Sequence, residues 1–199
     1  MKTKNANGIS LKTQELYLIV FLTRYLDLFT NKTSLYNTLF KIFYIAASAG
    51  LVYLIRFREP FKSMYLFERD TFLHWKFAVL PCAVLALFIN DINWTGFNAW
   101  LIFREYCWSF SIFLEAIAIF PQLVLLTRDK DVENITSHYI ATLGAYRALY
   151  ILNWIYRAWT EPHYSAWLPW FCGAVQTLLY ADFFWRYFKS VKAGTTLKI

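Results

Sequence analysis

Eight ionisable side chains stand inside apolar stretches of this sequence: Arg24, Asp27, Lys41, Glu105, Glu115, Arg147, Arg157 and Asp182. A charge near the centre of a bilayer costs about 2.5–3.5 kcal/mol even on the most forgiving insertion scale, so a chain keeping several must pair them or wet them. A long side chain near a segment end can instead reach the interface, which applies best to Arg157 and to Lys41. Arg147, Tyr150, Trp154 and Arg157 follow the spacing i, i+3, i+7, i+10 and share one helical face. Glu105, Trp108 and Glu115 share another, and Arg24 and Asp27 stand one turn apart. Three charged, aromatic-lined stripes are placed most economically around one polar cavity. The alternative is internal pairing, Asp27 with Arg147 or Glu115 with Tyr146. Three arginines against few matching acids leave a positive surplus, which favours an anionic ligand. The guanidinium fork takes two carboxylate oxygens at once and stays protonated when desolvated. Trp108 and Trp154 can stack on a ligand cation or on guanidinium groups. Deep arginines with Glu105 at the mouth would suit a peptide C-terminus with acidic residues last and a basic one before them.

The elements that must position these residues are apolar blocks. The composition is 58% hydrophobic, 21% aromatic and 17% charged, against near half apolar and a quarter charged in soluble domains. Six segments approach the ~20 residues that span a hydrocarbon core: roughly 14–29, 33–55, 73–89, 97–126 (containing Pro121), 137–159 and 166–188. The reading is an all-α membrane protein with six transmembrane helices, a polar cytoplasmic segment over 1–13, a helical domain over 14–188 and a cytoplasmic tail over 189–199. With the N-terminus cytoplasmic, that side receives Lys2, Lys4, Lys12, Arg56, Arg58, Lys62, Arg69, Arg128, Lys130, Arg186, Lys189, Lys192 and Lys198, while the other receives Lys32 and few more. That bias obeys the positive-inside rule and puts both termini in the cytoplasm. Sequons at Asn31, Asn93 and Asn134 read as chance matches.

The net charge of +7 is therefore topological, since nucleic-acid binders cluster their basic residues on a solvated face. Cys82, Cys107 and Cys172 are an odd, scattered set, which argues for buried thiols rather than disulfides or zinc. No Ser-His-Asp set, glycine-rich phosphate loop or metal-ligand spacing appears, so the chain reads as a non-enzyme without cofactor.

The strings TRYLDLF (Thr23 to Phe29), SLYNT (Ser34 to Thr38), FPQL (Phe120 to Leu123), SHY (Ser137 to Tyr139), YRALYILNWIYR (Tyr146 to Arg157) and VQTLLYADFF (Val175 to Phe184) resemble KDEL receptors, the ER lumen protein-retaining receptors. GISLKTQ (Gly8 to Gln14) is similar to the stretch joining that family's first two helices, so the resemblance runs from about Gly8 onward. It implies a PQ-loop- and SWEET-like fold of two three-helix bundles. It also implies pH-dependent capture of soluble ER proteins by a C-terminal KDEL- or HDEL-type tetrapeptide in the Golgi, and their return to the ER in COPI vesicles. Carried over by motif, Arg24 and Tyr25 would hold the peptide carboxylate and Arg157 would catch acidic side chains or the arriving carboxylate. Glu105 would take the basic residue, with Trp108 at the entrance and Tyr150, Asn153 and Trp154 lining the pocket. Tyr146 and Glu115 would form the hydrogen bond that locks cargo in. Asp27 and Arg147 would position the set, and Lys189, Lys192 and Lys198 would meet the coat. Lys189 serves equally as a positive-inside anchor.

The sequence departs from the family pattern at its start. Members carry a further helix before the GIS string, with an arginine for the ligand and a histidine that senses pH, where this chain has only Met1 to Asn7. His74, His138 and His163 do not match that sensor, which leaves the switch open. Truncation is the favoured explanation, with a shortened relative that binds no cargo as the other. A small-solute transporter of the SWEET or PQ-loop type is the competing class. It would need a cavity of neutral hydrogen-bonding groups instead of Arg24, Arg157 and Glu105.

Overall fold

The computed structural model describes residues 8–29, 34–65, 67–90, 98–128, 134–161 and 166–193. The sequons at Asn31 and Asn93, His163 and Lys198 lie outside them, as does the side chain of Asp182. Every regular element among the described residues is helical.

The first helix, α1 (Leu11–Arg24), starts three residues before the expected position because Ser10 caps it, its side chain accepting from the Thr13 amide at 3.2 Å. It does not run on through the first apolar segment, since Tyr25–Phe29 tightens into a 3-10 turn. The second, α2, spans Leu35–Phe57. A single turn, α3 (Phe61–Met64), leads to a π-turn at Trp75–Val79 that opens α4 (Leu80–Phe88). Pro81 is the second residue of α4, directly after the π-turn, in a helical run continuous from Trp75 to Phe88.

The fourth apolar segment divides into α5 (Ala99–Ile117) and α6 (Phe120–Arg128). Asn98 caps α5, accepting from the amides of Trp100 and Leu101. The break precedes Pro121, which cannot donate to the preceding turn. The long helices α7 (Asn134–Thr160) and α8 (Trp167–Ala193) follow. Because α8 continues to Ala193, Lys189 and Lys192 stand exposed on helix rather than in a detached tail.

The chain divides after Gln122 into two compact units. In the first, α1 packs between α2 and α5, and α4 packs on α5. Its core includes Leu16, Val20, Ala86, Leu114 and Ile119. In the second, α7 packs on α8, with Ile140, Leu168 and Tyr180 buried.

Among the described residues two helical stretches are long and apolar enough to cross a bilayer, Leu35–Phe57 and Ala99–Leu126. They differ in setting, the first mostly exposed and the second mostly buried within the protein. A helix as apolar as α2 whose Leu35, Phe43 and Phe57 face outward needs an apolar surrounding.

Candidate functional site

The candidate ligand-site residues divide between the two units, Arg24, Tyr25, Asp27, Glu105, Trp108 and Glu115 on the first and Tyr146, Arg147, Tyr150, Asn153, Trp154 and Arg157 on the second. Arg24 ends α1, a position that also suits a cation electrostatically. Its guanidinium reaches α5, where Nε donates to Ser111 Oγ at 3.1 Å and Nη1 pairs with the Glu115 carboxylate. The Ser111 hydroxyl donates to the Trp108 carbonyl at 2.6 Å. Glu115 is buried and Arg24 only partly exposed, so the pair lies inside the unit. Tyr25 stacks on Phe21, with ring centroids 5.7 Å apart and planes inclined by 8°.

One turn on, Asp27 pairs with Lys41 of α2, whose ammonium also lies 5.6 Å from the Tyr25 ring centroid. Lys41 therefore does not reach for the interface as its segment-end position suggested. A carboxylate within hydrogen-bonding distance outcompetes the longer route to water. Glu105 takes Arg104 Nη2 at 2.7 Å, and Trp108 stands half-buried one turn along the same face of α5.

In the second unit Arg147 is buried, with its guanidinium 5.0 Å from the Tyr146 ring centroid and 5.8 Å from that of Tyr150. This cation–aromatic contact gives a desolvated guanidinium a favourable neighbour. The rings of Tyr146 and Tyr150 meet edge to face at 5.7 Å, and Trp154 follows at 6.1 Å from Tyr150. Asn153 is exposed. Trp154 lies against Gly173 of α8, where an added Cβ would stand 2.5 Å from a ring carbon. It also lines an apolar cavity of about 430 Å³ with Ile151, Ile155, Ala158, Trp159 and Trp170.

Arg157 presents its full fork, with Nε to Glu161 Oε1 at 2.9 Å and Nη2 to Oε2 at 2.9 Å. The expected excess of arginines over acids is corrected here. Arg24 and Arg157 each hold a carboxylate, and Glu161 lies just past the fifth apolar segment, outside the charges that stand within apolar stretches. The i, i+4 spacing of Arg157 and Glu161 was the available signal. The guanidinium draws the Glu161 carboxyl below the usual carboxylate range through their hydrogen bonds.

A second polar cluster lies at the other end of α1. Asp70 Oδ2 accepts from Ser10 Oγ at 2.7 Å, from the Lys12 amide at 3.3 Å and from the Tyr65 hydroxyl. Gln122 Oε1 takes the Ser10 amide at 2.8 Å, its Nε2 donates to the Gly8 carbonyl at 2.8 Å, and its own amide donates to Thr13 Oγ1 at 3.0 Å. The strings GISLKTQ and FPQL thus meet through side chains, a role their sequence similarity alone did not give them. Among the described residues no group of His, Cys, Asp and Glu could hold a metal ion, and the three cysteines are buried thiols.

The described residues are all-helical, with the Arg24–Glu115 pair set into the first unit, and comparison with known proteins gives the class. The sequence profile described as "ER lumen protein retaining receptor" matches residues 5–157. The chain is similar to ER lumen protein-retaining receptors of Petunia hybrida (50% identity over 98% of this chain and 87% of the relative) and Drosophila melanogaster (46% over 100% and 88%). It also resembles receptor A of Arabidopsis thaliana, with 51% identity over 99% of this chain and 87% of the relative. The chain belongs to the ER lumen protein-retaining receptor family.

Proposed function

We propose that the chain is a Golgi-to-ER retrieval receptor that binds the C-terminal KDEL- or HDEL-type signal of soluble ER proteins, in a pH-dependent way, and returns them in COPI vesicles. Six membrane-crossing helices in a PQ-loop-like arrangement carry the site, with both termini cytoplasmic. Family membership over nearly the whole chain supports the class of cargo. The observation that carries the chemistry is the Arg157–Glu161 fork. A guanidinium already holding a carboxylate through two 2.9 Å bonds on a half-exposed surface is shaped for carboxylate exchange.

In this reading Arg157 takes the acidic side chains or the arriving carboxylate of the peptide in place of Glu161, and Arg24 and Tyr25 hold the peptide carboxylate. Glu105 takes the basic residue of the tetrapeptide, Trp108 lines the entrance, and Tyr150, Asn153 and Trp154 line the walls. Glu115 and Tyr146 close on the bound peptide, while Asp27 and Arg147 hold the charged set in place. Lys189, Lys192 and Lys198 engage the coat.

Titrating the detergent-solubilised chain with a synthetic peptide ending in HDEL, and with its C-terminal amide, tests this. The free acid should bind, more tightly near about pH 6 than near about pH 7.4. Amidation should cost about 2–5 kcal/mol, as when a buried charge pair loses a partner. Equal affinity for acid and amide would refute end-capture.

A further inference from the structure

We infer that the segment Arg56 to Phe77 forms a plate, on the end of the first unit where α1 begins, that binds the headgroups of anionic phospholipids. Four contacts lay this segment on α1. Arg56 pairs with Glu15, and His74 Nε2 stands 3.2 Å from the other Glu15 oxygen. Tyr65 Oη takes the Leu11 amide at 3.1 Å, and Asp70 takes the Ser10 hydroxyl. The inner surface is therefore buried and polar, with Tyr65, Asp70 and His74 all under a tenth exposed. Burial, and then Asp70, push the Tyr65 phenol up, so it remains a donor to that carboxylate.

The outer surface is cationic and aromatic. Arg58, Lys62, Arg69 and Lys76 are exposed there, with Arg56 at the edge on its Glu15 pair, against exposed acids only at Glu59 and Glu68 within the segment. Beside them Phe67, Trp75 and Phe77 are 52%, 62% and 57% exposed. Large rings left outside while three polar side chains are buried beneath them invert the soluble pattern. Rings that enter the headgroup level next to cations that meet phosphate suit a membrane interface. Positive-inside topology accounts for the cations, but not for the exposed aromatics interleaved with them or for the buried scaffold that fixes both. Charge complementarity selects the acidic headgroup over a zwitterionic one. The inference rests on the reading that the helices cross a bilayer and is independent of cargo capture.

Native mass spectrometry of the full chain in neutral detergent, with dioctanoyl phosphatidylserine or dioctanoyl phosphatidylcholine added, tests it. The serine lipid should be retained preferentially. Each removed cation should weaken it about fivefold, so R58E with K62E should lose most of the preference. High salt should erode the wild-type preference without any substitution. Equal retention of both lipids, or a preference that survives charge reversal and salt, would overturn the plate alone. An acidic peptide bound with no lipid preference would do the same. A chain that stays dispersed without detergent would overturn the membrane reading and the plate with it.

Discussion

Arg24 and Glu115 stand 91 positions apart in sequence and form an ion pair between the end of α1 and the last turns of α5, with Ser111 bridging the guanidinium to the same helix. Both belong to a set of charges that apolar surroundings would otherwise expel. Their pairing turns two insertion penalties into one contact that fixes how α1 sits on α5. Under the proposed function, in which Arg24 holds a ligand carboxylate, binding there has to include an exchange with Glu115.

Replacing Arg24 by Ala leaves Glu115 buried with one partner fewer. Breaking such a pair costs about 3–5 kcal/mol, whereas replacing both members by apolar residues of similar volume is often close to neutral. The midpoint of thermal unfolding in detergent should drop sharply for R24A and recover in R24M with E115L. Equal losses in both would mean that the pair contributes through packing and not through charge.

At Arg157 the outcome should differ. Its partner Glu161 is exposed, so Glu161→Gln should leave the melting temperature nearly unchanged. The same substitution should raise affinity for a peptide with a free C-terminus and leave the amidated peptide unaffected, because the internal competitor is gone. The Glu161 carboxyl titrates below its unfolded value, so whatever the pair contributes is present above the ordinary carboxylate range. It is lost as pH falls through the folded pKa. Carboxyl chemical shifts followed by NMR report this directly.

The cluster at Asp70 should be costly to open. Asp70→Ala leaves the Ser10 and Tyr65 hydroxyls without their acceptor, at about 1–3 kcal/mol for each group left unsatisfied. Tyr65→Phe in the same background should then cost less than it does alone, a coupling that a double-mutant cycle measures. The Tyr65 phenol is raised, so the stability it supplies is complete below the ordinary tyrosine range and is lost only as alkaline pH rises through the folded value. The difference in tyrosinate absorbance between wild type and Y65F follows that ionisation.

Two glycines make a paired test of helix packing. An added methyl at Gly173 meets the Trp154 ring at 2.5 Å, while at Gly50 of α2 nothing lies within 4 Å. Gly173→Ala should cost about 1–3 kcal/mol as α7 and α8 are pushed apart. Gly50→Ala should be neutral or stabilising by up to about 1 kcal/mol through helix propensity. Melting temperatures of the two variants decide this.

The sequence alone determined which stretches are helical and which residues carry the charge. Apolar runs and helical spacing are local properties, and a backbone away from water closes its own hydrogen bonds wherever such a run is long enough. The proline that divides the fourth apolar segment, Pro121, was equally visible in the chain. What only the tertiary structure decided is which charge meets which. Arg24 could have stood without an internal acid, Asp27 could have met a different base, and Lys41 could have reached the interface. Each choice depends on which helix lies alongside and at what height, and spacing along one helix carries no information about that. The same holds for Ser10, Asp70 and Gln122. Nothing in their local sequence announces a cluster, because the desolvation that makes each need a partner exists only once three separate segments have been brought together.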